Sequence, residues 1–114
     1  MCAMVALMVA ETARAQDSSA FVTGNDLLAY CKTPAGAGPP AMCRGYITAT
    51  VDTVVLYQDL ESIPRRVCLP RNVTVQQVVD VVVAYLVEYP ADRHNTAVSI
   101  AVPALWKAFP CPPK

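Results

Sequence analysis

Apolar and polar positions along the chain fall into four blocks, separated by stretches rich in proline or charge. The first block opens with Thr23-x-x-Asp26, the spacing of a helix N-terminal cap, with Val22 and Leu27 placed as a hydrophobic staple. Leu27, Leu28, Tyr30 and Cys31 come next. A short helix is expected, ending before Thr33-Pro34 because a residue preceding proline avoids the helical region. Residues 34–40, with their prolines and glycines, read as a loop.

The second block runs from near Cys43 to about Gln58. Its threonines and valines favour a strand by propensity. Ile47, Val51, Val54, Val55 and Gln58 fit helical spacing instead, and Asp52 stands out as a carboxylate interrupting that apolar pattern. On local pattern alone, helix and strand are balanced. Residues 59–72 then form a charged connection carrying Asp59, Glu61, Arg65, Arg66, Cys68 and Arg71.

The third block has the clearest local signal. Thr74 and Gln77 make a capping box, Val73 and Val78 a staple, and the helix is expected to reach about Tyr89, before Pro90. Its valines, with Tyr85 and Leu86, spread over nearly the whole circumference. A helix apolar all round must be covered all round, so this one is expected to be the central helix or a subunit interface. The fourth block starts at Asn95, read as its cap, and ends before Pro110. Val98, Val102, Leu105, Trp106 and Phe109 fit one helical face, and Pro103 inside it is expected to kink the axis.

The N-terminus changes the picture. Residues 1–10 are almost wholly apolar but too short to span a bilayer. Ala13-Arg14-Ala15 and a polar run come after them, the pattern of a signal-peptide cleavage site. Residues 1–15 are therefore expected to be a secretory leader lacking its basic opening, and residues 16–114 a single helical domain in an oxidising compartment. The mature part holds four cysteines, Cys31, Cys43, Cys68 and Cys111, an even number that reads as two disulfides. If four helices pack antiparallel, Cys31 and Cys43 meet at one end and Cys68 and Cys111 at the other. Their loops give about 3 and about 4 kcal/mol by the chain-entropy estimate, against about 5–10 kcal/mol of total stability for so small a domain.

Charge and chemistry narrow the function. Nine basic and nine acidic residues balance, so there is no basic excess for nucleic acid. No C-x2-C pair exists for zinc or thiol redox work, and His94 is the single histidine. Asp52, Asp80 and Glu88 have no partner at i+3 or i+4 that suggests a metal or acid–base site. No catalytic residue, metal or cofactor is expected. Binding is, with Arg65 and Arg66 as candidate anchors and Glu61 and Arg71 beside them, because arginine is enriched at binding hot spots. A disulfide-stapled loop also loses little entropy on docking.

The ordered elements Phe21-x-Thr23-Gly24-Asn25, Cys43-x-Gly45-Tyr46-Ile47, Val67-Cys68-Leu69-Pro70, Tyr85-Leu86 with Pro90, and Phe109-Pro110-Cys111 resemble the Rap/Tai-type immunity protein family of Gram-negative bacteria. The resemblance implies an all-α fold, a small four-helix bundle with two intrachain disulfides, and resolves the second block as helix. The helix order is also similar to that of the periplasmic acid-stress chaperone HdeA. Resemblance to the family further implies a periplasmic protein, often a homodimer, that binds and occludes a secreted cell-wall amidase delivered by type VI secretion. Here the homodimer is expected through residues 74–89. Two alternatives stand beside this: an HdeA-like chaperone that exposes apolar surface in acid, and an envelope interaction module with no toxin partner.

Overall fold

The computed structural model describes residues 21–33 and 37–113. They form four helices: α1 (Gly24–Tyr30), α2 (Ala41–Asp59), α3 (Val75–Glu88) and α4 (Ala97–Ala108), with a 3-10 turn at Pro90–Asp92. No strand occurs among the described residues; Thr23 with Thr96, and Val67 with Pro110, make isolated antiparallel bridges. The leader expected over residues 1–15 lies outside the described residues, as do residues 34–36 of the first loop.

Both expected capping boxes are present. The Thr23 hydroxyl accepts from the Asp26 amide at 3.2 Å, and the Asp26 carboxylate accepts from the Thr23 amide at 3.0 Å. The Thr23 amide foremost, and the Thr23 hydroxyl, which donates to the same carboxylate at 2.9 Å, hold the exposed Asp26 carboxyl below its ordinary range. Thr74 and Gln77 repeat the exchange at 3.1 and 2.8 Å. Each box satisfies two of the amides that a helix start leaves without partners.

The second block is a helix of 19 residues. Cys43, Ile47, Val51, Val54 and Gln58 recur every three or four positions on its buried side, and tertiary packing of that side overrides strand propensity. Its threonines do not compete with the helix. Thr48, Thr50 and Thr53 donate back to the carbonyls of Arg44, Tyr46 and Ala49 at 2.7–2.9 Å. Asp52 does not interrupt the buried face. It lies on the exposed side of α2, because the packed stripe runs through Val51 and Val54 rather than between them.

α3 sits in the middle, packed against α1, α2 and α4. Val78, Val79, Val82 and Leu86 are buried, and Val81, Val83 and Tyr85 are half-buried. The helix is not covered all round. Gln76, Gln77, Asp80, Ala84, Val87 and Glu88 form an exposed stripe. Three of those six are uncharged amides or alanine and two are acidic, so a polar outward side was present in the pattern beneath the valines.

α4 differs from expectation in its cap and its face. The cap is Thr96, not Asn95, and no side chain bonds the first amides. The Ala97 amide donates instead to the Val22 carbonyl at 2.8 Å, so the segment before α1 serves as the cap. The buried positions are Ala97, Ile100, Ala101, Ala104 and Leu105. Val98 is exposed, while Val102, Trp106 and Phe109 are half-buried. Alanines let α4 approach its neighbours closely, and a pattern weighted by large side chains overlooks them. The helix continues through Pro103 as one element.

Two ties fix the bundle ends. The disulfides are Cys31–Cys43 and Cys68–Cys111, each with Cα atoms 4.9 Å apart, as the antiparallel order requires. The start of α1 is clamped to the turn before α4: the Gly24 amide donates to the Asn95 carbonyl and the Asn25 amide to the Arg93 carbonyl, both at 2.9 Å. This approach is why residue 24 is glycine. A Cβ there would lie 2.5 Å from Ile100 Cδ1 and 3.0 Å from the Arg93 backbone.

Candidate protein-binding site

The connection between α2 and α3 is charged in sequence and braced in structure. α2 ends in a Schellman turn: the Glu61 amide donates to the Gln58 carbonyl at 3.1 Å and the Ser62 amide to the Tyr57 carbonyl at 3.0 Å. Such a turn needs a left-handed residue after the cap, normally glycine. Here it is Glu61, with φ 57°, the one non-glycine with positive φ among the described residues. The choice costs about 1 kcal/mol.

Gln58 holds the other end of the loop. It is 3% exposed. Its Oε1 accepts from the amides of Arg66 and Val67, and its Nε2 donates to the Val67 carbonyl, all at 3.0 Å. A single side chain thereby pairs the main chain of residues 66–67 on the side away from the Val67–Pro110 bridge. Beyond it, the Cys68 amide donates to the Phe109 carbonyl at 2.9 Å, and the Cys68–Cys111 disulfide locks the same junction. The loop between Gln58 and Cys68 is tied at both ends.

Within this loop, Glu61 and Arg65 line one surface hollow of about 500 Å³, with Asp59, Ile63 and Pro64. Arg65 donates to the Asp59 carboxylate at 2.7 Å. Both side chains are more than half exposed, so the pair orients more than it stabilises. Arg66 points elsewhere, its guanidinium 4.9 Å from the Trp106 ring centre on α4. Arg71 is exposed on the turn before α3 and does not line the hollow. Of the four expected binding residues, the structure brings Glu61 and Arg65 together, places Arg66 nearby on an aromatic support, and leaves Arg71 apart.

Sequence reasoning passed over two contributors. Gln58 looked like the polar end of a helical face; a glutamine at an otherwise apolar position, just before a loop, was the available signal. The exposed apolar side chains at the end of α2, Leu56, Tyr57, Leu60 and Ile63, border the charged loop. Apolar area rimmed by charge is the usual anatomy of a protein contact.

The model of the Rap1a immunity proteins matches residues 23–111. The chain belongs to this family. The match spans α1 through the second disulfide and so covers the whole described bundle. No curated protein and no solved structure matches. A Rap1a-family chain is an immunity protein, whose work is to bind a protein partner. His94 is exposed, and the described residues contain no group of three histidine, cysteine, aspartate or glutamate side chains able to hold a metal. None of the described helices is long and apolar enough to cross a membrane.

Proposed function

We propose that this Rap1a-family chain is a periplasmic immunity protein that binds a peptidoglycan amidase effector of type VI secretion and covers its catalytic cleft. The observation that carries the reading is the braced loop of residues 59–71. Three hydrogen bonds of the buried Gln58 side chain and one disulfide hold a charged segment that also carries exposed Leu60 and Ile63. A pre-ordered loop of this kind enters a cleft with little entropy loss. Glu61 adds support, since a glutamate stands in a left-handed conformation where glycine would be less strained, a pattern of functional positions. Export fits the two disulfides and the leader pattern over residues 1–15.

The test is inhibition of a purified effector amidase on peptidoglycan. Equimolar protein is expected to abolish turnover, and Arg65→Glu with Ile63→Asp to restore it. Full inhibition by that double variant would move the contact elsewhere. Absence of inhibition of any effector amidase encoded beside the chain would remove the reading.

The chaperone alternative drew on apolar surface along the third helix, released in acid. Much of that surface is covered by α1, α2 and α4 of the same chain, with Val75 and Val87 left exposed, so the alternative rests mainly on the HdeA-like helix order. A homodimer through residues 74–89 would use the exposed stripe of α3, where Val87 is the large apolar side chain.

A further inference from the structure

We propose that the hollow between α2 and the start of α3 is an anchor pocket for one arginine side chain of a protein partner. Val51 on α2 and Val78 on α3, 8% and 5% exposed, line it together with half-buried Leu69 and Val73 from the connection between the helices. Thr48 and Asp52 line the α2 side, at the one-turn spacing that puts them on the same face as Val51. Thr74 lines the α3 side. Both threonine hydroxyls are already engaged within the chain. Thr48 donates to the Arg44 carbonyl at 2.8 Å, and Thr74 accepts from the Gln77 amide at 3.1 Å and donates to Gln77 Oε1 at 3.3 Å. Asp52 is different. Asp26, Asp59 and Asp80 accept from Thr23, Arg65 and Gln76. The exposed Asp52 carboxylate forms no ion pair among the described residues and accepts from none of their side chains.

Size and chemistry together name the occupant. The hollow measures about 180 Å³. Sites for drug-sized ligands run to about 300–1,000 Å³, whereas a cavity of about 150 Å³ accommodates benzene. The hollow therefore holds one side chain. Any surface docked across it strips water from Asp52, and a carboxylate dehydrated without a partner is costly. An aliphatic anchor such as leucine fits the valines but leaves that charge unpaired. A cation on an apolar stem satisfies both. Arginine does so best. Its methylenes lie on the valines and Leu69, its planar fork engages both oxygens of Asp52, and it has a weaker hydration shell to lose than lysine. The partner is then a protein that presents an exposed arginine within its contact surface. Glu61, Ile63 and Arg65 do not line this hollow, so the pocket requires only the protein partner common to the family and not the amidase reading.

Titration of the isotope-labelled, oxidised chain with acetyl-arginine methylamide, followed by amide chemical shifts at fixed ionic strength, tests it. One isolated anchor is expected to saturate with a Kd of about 1–10 mM. The largest shifts are expected at Val51, Asp52, Val73 and Val78. The citrulline analogue, which has the shape without the charge, is expected to bind about tenfold more weakly, and the lysine analogue about threefold. Asp52 is exposed and unpaired, so Asp52→Asn should melt as the wild type does while losing about tenfold in affinity. Glu88→Gln, outside the hollow, is expected to bind as the wild type does. Absence of saturation by ~50 mM overturns the proposal. So do shifts centred elsewhere, equal binding of the citrulline or lysine analogue, or an Asp52→Asn chain that binds as the wild type does. None of these readouts involves an effector, so failure here leaves the amidase reading standing.

Discussion

Replacing Gln58 by methionine keeps length and volume and deletes every hydrogen bond the side chain makes. Three main-chain groups lose their partner: the Arg66 and Val67 amides and the Val67 carbonyl. Val67 is 2% exposed, so water does not reach two of them without opening the loop. An unsatisfied buried group costs about 1–3 kcal/mol. The lower figure applies here, because Arg66 and its outer neighbours are exposed and the loop can partly relax. The expected loss is about 3 kcal/mol, a third or more of the stability of a domain this size. In urea, with a slope of about 1.5 kcal/mol per M, the midpoint should fall by about 2 M at unchanged slope. Hydrogen exchange supplies the local readout: the Arg66 and Val67 amides should lose protection ahead of the α3 amides. A loss under about 1 kcal/mol, or those two amides still protected as in the wild type, refutes the claim that Gln58 organises the loop.

Other contacts give further expected outcomes. Gly24→Ala forces a Cβ against Ile100 and the Arg93 backbone and should cost about 1–3 kcal/mol in thermal melts, despite alanine's better helix propensity. Glu61→Gly should do the reverse, raising stability by about 1 kcal/mol while weakening binding to the effector. Replacing Cys68 and Cys111 by serine removes a 43-residue closure and about 4 kcal/mol, against about 3 kcal/mol for Cys31 and Cys43 with 12; denaturant curves should rank the two in that order. Tyr46 is pushed up chiefly by burial, the bond to Val98 opposing. A raised folded value means that its share of stability is intact below the ordinary tyrosine range and is lost as pH climbs through the folded value. Alkaline spectrophotometric titration should therefore show one tyrosine ionising late, and Tyr46→Phe should remove it.

The sequence was most informative where a few adjacent residues decide the outcome. Thr23 with Asp26 and Thr74 with Gln77 form caps from their own spacing, and the cysteine pairing came from antiparallel order. It was less informative where distant residues decide. α2 was balanced between helix and strand because its valines and threonines carry no local preference for helix; the buried stripe that decides it is defined by α3 and α4. The face of α4 was misplaced because Ala97, Ala101 and Ala104 carry little hydrophobic weight yet permit the closest approach. At the binding loop, the charged residues were visible, but not their division of labour. Arg66 resting on Trp106, far along the chain, and Gln58 reaching residues 66–67 depend on folding that no local pattern encodes.

The claim that most of this depends on is that a rigid charged loop blocks a cell-wall amidase. Calorimetric titration of the chain into a purified effector amidase measures it directly, alongside the Gln58→Met variant, whose loop is loosened but whose surface residues are unchanged. The account expects one-to-one loop-to-effector binding by the wild type, and affinity reduced at least tenfold by Gln58→Met with a less favourable entropy. Equal affinities for the two proteins, or no binding by either, would contradict it.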